Sequence, residues 1–346
     1  MPASSDTRFE PAYDGDPADL RTDVVRFSAT LGRELRQDPA RQLGVPSEDL
    51  IRVALDRGAR ADALSLVRYL LNEFTITFET VLNGWLTQLL DDALPLLGMS
   101  GAADLLRVPR RDVWHGLFAL GRRFHAEAAE KLESCDDAGA ELGLEHVRMT
   151  FRLLNDETVR FIQDILTALA DAYGEDEPVR ALRKPYELIW RERYGSWEQL
   201  TALEKLQLSC EGMRTHFGGQ QRRGEFKVVE EHDRYRMIFA PCGTGGILRR
   251  GDPESGAPPW DTHGRNTIPK PYSWHRTGVP WYCMHCSLYL EHWPAEDYGH
   301  PLRPVLWIDD PTRAETTEWF VYKDGHGPRP DDLARVGLTT SDDVRR

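Results

Sequence analysis

Cysteine is scarce in this chain of 346 residues: five in all, too few for a disulfide scaffold. No stretch of 18 residues is free of charge, so no membrane-spanning helix is expected. The longest apolar-rich region, 63–97, is interrupted by Arg68, Glu73, Glu79 and the Asp91–Asp92 pair. A basic excess is also missing. With 43 Lys and Arg against 56 Asp and Glu, the net charge is -13, which argues against a nonspecific nucleic-acid binder. There is no G-x-x-x-x-G-K-[ST] phosphate loop, no G-x-G-x-x-G opening a helix after a strand, and no H-E-x-x-H. The first twenty residues lack the basic and apolar regions of a signal peptide. With so few cysteines, the expected compartment is a reducing cytoplasm, where thiols stay free or bind metal.

The residues present are those of a globular protein, 40% hydrophobic and 29% charged, in a length suited to two domains or one large one. They are unevenly placed. Residues 1–200 carry a net charge of -11 and residues 201–346 only -2, while four of five Cys, eight of eleven His and six of ten Trp follow position 209. From Leu20 to Gly218 apolar residues recur at helical spacing, as in Leu64-Val67-Leu70-Leu71-Phe74-Phe78-Val81-Leu82-Trp85-Leu89. The pattern predicts a stop at Gly98, a helix from Asp112 to about Glu133, and one from about Leu144 to Gly174. A further helix, 197–216, would be capped by Ser196 with Gln199. Glu73, Glu79, His115 and His125 are expected to face solvent. After Gly218 short strands are predicted at 226–231, 235–239, 304–308 and 317–322, a helix at 283–293 and a long irregular loop at 251–271.

The chemistry-bearing residues gather in this second part. Cys283 and Cys286 have the C-x-x-C spacing that lets two thiolates grip one ion, and Cys242 precedes Gly243-Thr244-Gly245-Gly246. Three cysteines and one histidine around zinc is the leading expectation, with iron as an alternative. His216 is the preferred fourth ligand, and His285, His275 and His263 are the others. A three-ligand site with an open position would make the ion catalytic. Other readings stay open. The thiols are ordinary, or Cys283 and Cys286 form a redox pair. Alternatively Cys242 is a nucleophile, with the backbone N–H groups of 243–246 as an oxyanion pocket and His285 or His275 as base. Arg249 is the candidate for a substrate carboxylate, although Arg249-Arg250 also reads as a solvated loop edge. Trp281 and Tyr282 are the candidates for a pocket wall. Glu291-His292 and Glu296-Asp297 read as solvated helix-end charges.

Two runs carry a resemblance: Pro241 to Gly246, P-C-G-[ST]-G-G, and Tyr282 to Cys286, Y-C-x-H-C, with Arg214-x-His216 upstream. Together they resemble uncharacterised actinobacterial proteins. The order strand, cysteine, second cysteine on a helix, closing strand is similar to the L-2-amino-thiazoline-4-carboxylic acid hydrolase-like family over about 110 residues. The glycine turn and the C-x-H-C run depart from that family's pattern. The resemblance implies a compact site in which a thiolate or an activated water attacks a C=N-type carbon.

The expectation is therefore an α+β protein: a disordered arm at 1–19, a helical domain at 20–218, a small mixed domain with antiparallel strands and the cysteine site at 219–325, and a frayed polar tail at 326–346. Its expected work is metal-dependent hydrolysis or lysis of a small molecule, without nucleic acid or membrane and with a possible homodimer through the helices. In the alternatives the ion only staples a ligand-binding or sensing protein, or a metal-free cysteine hydrolase acts through Cys242.

Overall fold

The computed structural model describes residues 13–105, 110–252, 254–260, 264–308 and 316–338. The chain is α+β, mainly helical, with two small antiparallel sheets. The stretch after Leu20 begins with a hairpin instead of a helix: β1 (Val25–Ser28) pairs with β2 (Arg33–Arg36) through a turn in which Gly32 takes a positive φ of 66°. Four-residue strands carrying Arg26, Arg33, Glu34 and Arg36 show no clean alternation, so periodicity does not reveal them.

The helices follow: α1 (Ser47–Asp56), α2 (Arg60–Thr75), a π-helical turn (Ile76–Leu82), α3 (Asn83–Leu105), α4 (Arg110–Glu133) and α5 (Asp137–Tyr173). The predicted stop at Gly98 is a break inside α3, where Gly98 leaves helical geometry at φ 64°. α5 starts seven residues before the expected Leu144. Its N-cap Asp136 accepts from the Gly139 N–H, and the helix ends at Gly174, φ 93°, as the glycine predicts. Gly143 lets α5 lie against α4, because a Cβ there would sit 2.8 Å from that of Ala128.

Next come α6 (Asp176–Pro185), a second π-helical turn (Tyr186–Trp190), α7 (Arg191–Gly195) and α8 (Ala202–Arg214). The cap of α8 is Thr201 with Glu204 in a reciprocal capping box, not Ser196 with Gln199. Residues 197–199 form a separate 3-10 turn.

The second sheet has the order β3 (Lys227–Glu230), β4 (Arg234–Phe239), β6 (Thr316–Tyr322), β5 (Val305–Ile308), all antiparallel. Between β4 and β5 lie the short α9 (Gly245–Arg250) and a continuous helical segment made of α10 (Met284–Ser287), a third π-helical turn (Leu288–His292) and α11 (Trp293–Tyr298). The four predicted strands and the 283–293 helix are all there; the helix runs on past Pro294, and the Leu290 carbonyl accepts instead from the Leu302 and Arg303 N–H groups. α12 (Pro330–Arg335) closes the described chain.

Both supposed loose ends are docked where described. Arg57 donates to the carbonyls of Pro17, Ala18 and Leu20, and Arg335 reaches back to Glu291.

One apolar cluster runs from Leu20 to Val321. At its centre Phe151 of α5 stacks on Phe74 of α2 with centroids 4.2 Å apart, a pairing that contributes about 1 kcal/mol beyond its buried area. Two groups expected at the surface are inside. Glu73 is 1% exposed, accepting from Arg214 Nε at 2.8 Å and Ser47 Oγ at 2.8 Å. His125 is buried against the Val67 carbonyl, 2.6 Å away. Both lie within an apolar stripe, and the partner that admits each comes from a distant segment. Glu79 and His115 are exposed, as expected.

Candidate functional site: a thiol and imidazole cavity beside an aromatic pocket

α5 positions both cysteine segments. Asn155 donates its amide to the Gly243 carbonyl at 3.3 Å, and Gln163 accepts from the Tyr282 N–H at 2.8 Å. These two fully buried side chains are eight residues apart, so they share a helix face about 12 Å along the axis. The Gly243 carbonyl is also within reach of Arg222, which pairs with the buried Asp156. The end of α8 closes the arrangement. Gly219 N–H donates to the Pro241 carbonyl at 2.9 Å. A Cβ on Gly243 would fall 1.9 Å from the His216 carbonyl oxygen, so only glycine lets the two backbones pass.

The result is a small cavity of about 30 Å³, the size of one water, lined by Cys242, Cys283, Cys286, His216, His285, Arg249 and Tyr282, among others. Seven of the ten site candidates named from the sequence therefore line one cavity. Trp281 is 2% exposed and lines neither this cavity nor the larger one beside it. His275 is exposed and lines neither, and His263 lies outside the described residues. Arg249 is not a loop edge: it is buried in α9, donates from Nε to the Gly245 carbonyl at 3.3 Å, and lies 4.9 Å over the Trp307 ring. Glu291 is likewise buried, at 1% exposed. It accepts from the Val305 N–H, Trp274 Nε1 and Arg335, tying the helical segment to β5 and α12. Burial lifts its carboxyl to about 7.

Both cavity imidazoles are fixed the same way. His216 Nδ1 is 2.5 Å from the Gly212 carbonyl and His285 Nδ1 is 2.5 Å from the Tyr282 carbonyl. A carbonyl accepts only, so each Nδ1 carries the hydrogen and each Nε2 holds a lone pair. Burial drives His285 down to about 4 and also lowers His216, so both rings stay neutral at pH 7. Burial pushes the Cys286 thiol well above its ordinary range, and the neighbouring Cys242 and Cys283 push it the same way. Cys242 Sγ lies 3.4 Å from Thr244 Oγ1, and Cys286 Sγ lies 3.6 Å from His285 Nε2. All five cysteines are free thiols.

Three thiols and two imidazoles with a lone pair on Nε2 are the donors a zinc ion prefers, and a carbonyl on Nδ1 is the usual outer partner of a ligating histidine. The 3.6 Å between Cys286 Sγ and His285 Nε2 is about the edge expected of a tetrahedron with bonds near 2.3 and 2.0 Å. Among the described residues, however, no three His, Cys, Asp or Glu groups converge closely enough to hold one ion as placed. The donor chemistry fits zinc, and ligation would require thiol side chains to turn about their single torsion.

Two larger spaces adjoin this cavity. One, of about 340 Å³, is lined by Cys242, Gln220, Arg222 and Arg250 and puts Cys242 between it and the thiol cavity. The other, of about 380 Å³, shares Met213, His216, Tyr282, His285 and Trp319 with the thiol cavity. Periodicity gives no hint of this second space, because residues from the β1–β2 turn to β6 contribute to it.

Among the described residues no helix is long and apolar enough to cross a membrane. No protein-family model, no curated protein and no solved structure matches the chain.

Proposed function

We propose that the protein is an enzyme acting on a small molecule, with the thiol and imidazole cavity as its reacting centre and zinc as the ion held there. One observation carries the reading. Cys242, Cys283, Cys286, His216 and His285, from three separate segments, line one cavity, and both imidazoles are fixed with Nδ1 on a backbone carbonyl, so that Nε2 carries the lone pair. The Cys286 thiol, beside Cys242 and Cys283, resists ionisation without a cation, and a divalent ion removes that cost. When bound, the ion supplies a Lewis acid and a water acidified to about neutral pH. The chain supplies the rest. Neutral His216 and His285 keep their lone pairs available, and Arg249 offsets thiolate charge from the same cavity. Hydrolysis at a C=N-type carbon suits these parts and is the reaction that the resemblance implies.

The test is elemental mass spectrometry on untagged protein beside Cys242→Ser and Cys283→Ser. About one zinc per chain, lost in both variants, supports the proposal. Freshly purified protein without metal sinks it.

A second reading is favoured by the placement of Cys242. It lies on the walls of both the thiol cavity and the 340 Å³ space, so an outside molecule can reach it. As a metal-free nucleophile it would be alkylated faster than Cys283 and Cys286. Equal labelling of the three would count against this role.

A further inference from the structure

The 380 Å³ space is built as a binding site in its own right. Its volume lies within the range of small-molecule pockets. All three π-helical turns of the chain's described residues reach it: Ile76–Leu82 through Ile76, Thr77 and Leu82, Tyr186–Trp190 through Trp190, and Leu288–His292 through Tyr289 and Leu290. Such turns concentrate at functional sites because the extra residue re-aims side chains into a cavity. The walls are flat and aromatic. Trp85, Trp190 and Tyr289 pack on one another with centroids 4.5–5.6 Å apart, and Tyr194, Trp197 and Trp319 face them.

The charge balance of this space is positive. Arg33 and Glu211 on its wall neutralise each other through two hydrogen bonds, with Tyr69 donating to Glu211 as well. Arg303, 9% exposed, has no carboxylate among the described residues. It donates to Tyr194 and Ser209 hydroxyls and lies over the Tyr194, Trp197 and Trp319 rings. Arg193, more exposed, makes no ion pair among the described residues. Two unmatched cations in one pocket of a chain with net charge -13 call for an anion.

We infer that this pocket binds an organic carboxylate with a flat apolar body, the body between the aromatic walls and the carboxylate on Arg303 and Arg193. Guanidinium forks match a carboxylate in geometry. The pocket ends on His216, His285 and Tyr282, so the ligand's far end would meet the thiol cavity. Its role as substrate rests on the function proposed above; its binding does not.

Calorimetric titration of the full chain with 1-naphthoate and, separately, with the uncharged 1-naphthamide tests the inference. The acid should bind at least about tenfold more tightly than the amide. Arg193→Gln, at the exposed mouth, should bring the two to within about twofold without changing the amide's affinity, and Arg303→Gln should do the same if it folds. Cys283→Ser should bind the acid as the wild type does, whatever its metal content. Equal affinity for acid and amide, or no saturable binding of either, overturns the inference even if zinc is present. Acid-selective binding by a protein without metal keeps this pocket and removes the zinc reading.

Discussion

Cys286 Sγ lies 3.6 Å from His285 Nε2, and the other nitrogen of the same ring is held 2.5 Å from the Tyr282 carbonyl. A thiol and a lone pair therefore face each other in the thiol cavity. The tautomer is set by a backbone group one helical turn back, and Gln163 of α5 holds that residue through its N–H. The helical part of the chain thus controls the protonation geometry of the cysteine-rich part.

If the cavity holds zinc, a chelator lowers the melting temperature of the wild type and leaves that of Cys242→Ser unchanged. Ligand stabilisation scales with the excess over the dissociation constant, about 4 kcal/mol at a thousandfold excess. Scanning calorimetry with and without chelator measures it, and identical curves for the wild type would count against a bound ion.

Gly245→Ala isolates the site from the fold. A Cβ at Gly245 would lie 2.5 Å from Cys283 Sγ, so the methyl displaces the thiol. The helical backbone at Gly245 itself accepts alanine. The expected outcome is a stability loss of about 1–3 kcal/mol with the secondary structure retained, together with faster alkylation of Cys283 or loss of metal. Unchanged thiol reactivity and metal content would show that the contact is not tight.

Glu291 gives a pH dependence with a definite sign. Its folded carboxyl titrates at about 7 because burial outweighs Arg335, Val305 and Trp274, while an unfolded glutamate titrates near 4.5. Between these values the folded protein binds the extra proton, so stability falls as pH rises through that window and levels off above it. Glu291→Gln keeps an acceptor for Val305 and removes the titration. The stability of the wild type relative to Glu291→Gln should fall by up to about 3 kcal/mol from pH 4.5 to 7, read from urea midpoints. A difference that is flat with pH would contradict the burial cost.

Glu73 and Glu79 are matched tests of burial. Glu73→Ala leaves the Arg214 guanidinium, 4% exposed, without its carboxylate and should cost about 3–5 kcal/mol. Glu79→Ala, on an exposed side chain 4.0 Å from Arg122, should change stability by about 0.5 kcal/mol or less. Denaturant titration of both variants decides this, and equal effects would show that Arg214 finds another partner.

By itself the sequence determined what local physics controls. Glycines at 98 and 174 mark breaks because only they take those backbone angles at no cost. The strands after Gly218 are legible in β-branched and aromatic runs. The C-x-x-C and P-C-G-T-G-G runs single out the thiols by chemistry. The burial of Glu73 and Glu291 is not legible, because it depends on Arg214, Val305 and Arg335, partners far along the chain. The β1–β2 hairpin is hidden by strands without alternation, and the Thr201–Glu204 box, though local, lies beside the competing Ser196–Gln199 pattern. Only the tertiary structure brought Cys242 to Cys283 and Cys286 across 40 residues. Asn155 and Gln163, spaced on one face of α5, reach both segments, and no sequence period records that pairing. The aromatic pocket belongs wholly to the tertiary structure. Its cations, indoles and π-helical turns come from segments between positions 33 and 319, and only packing makes them neighbours.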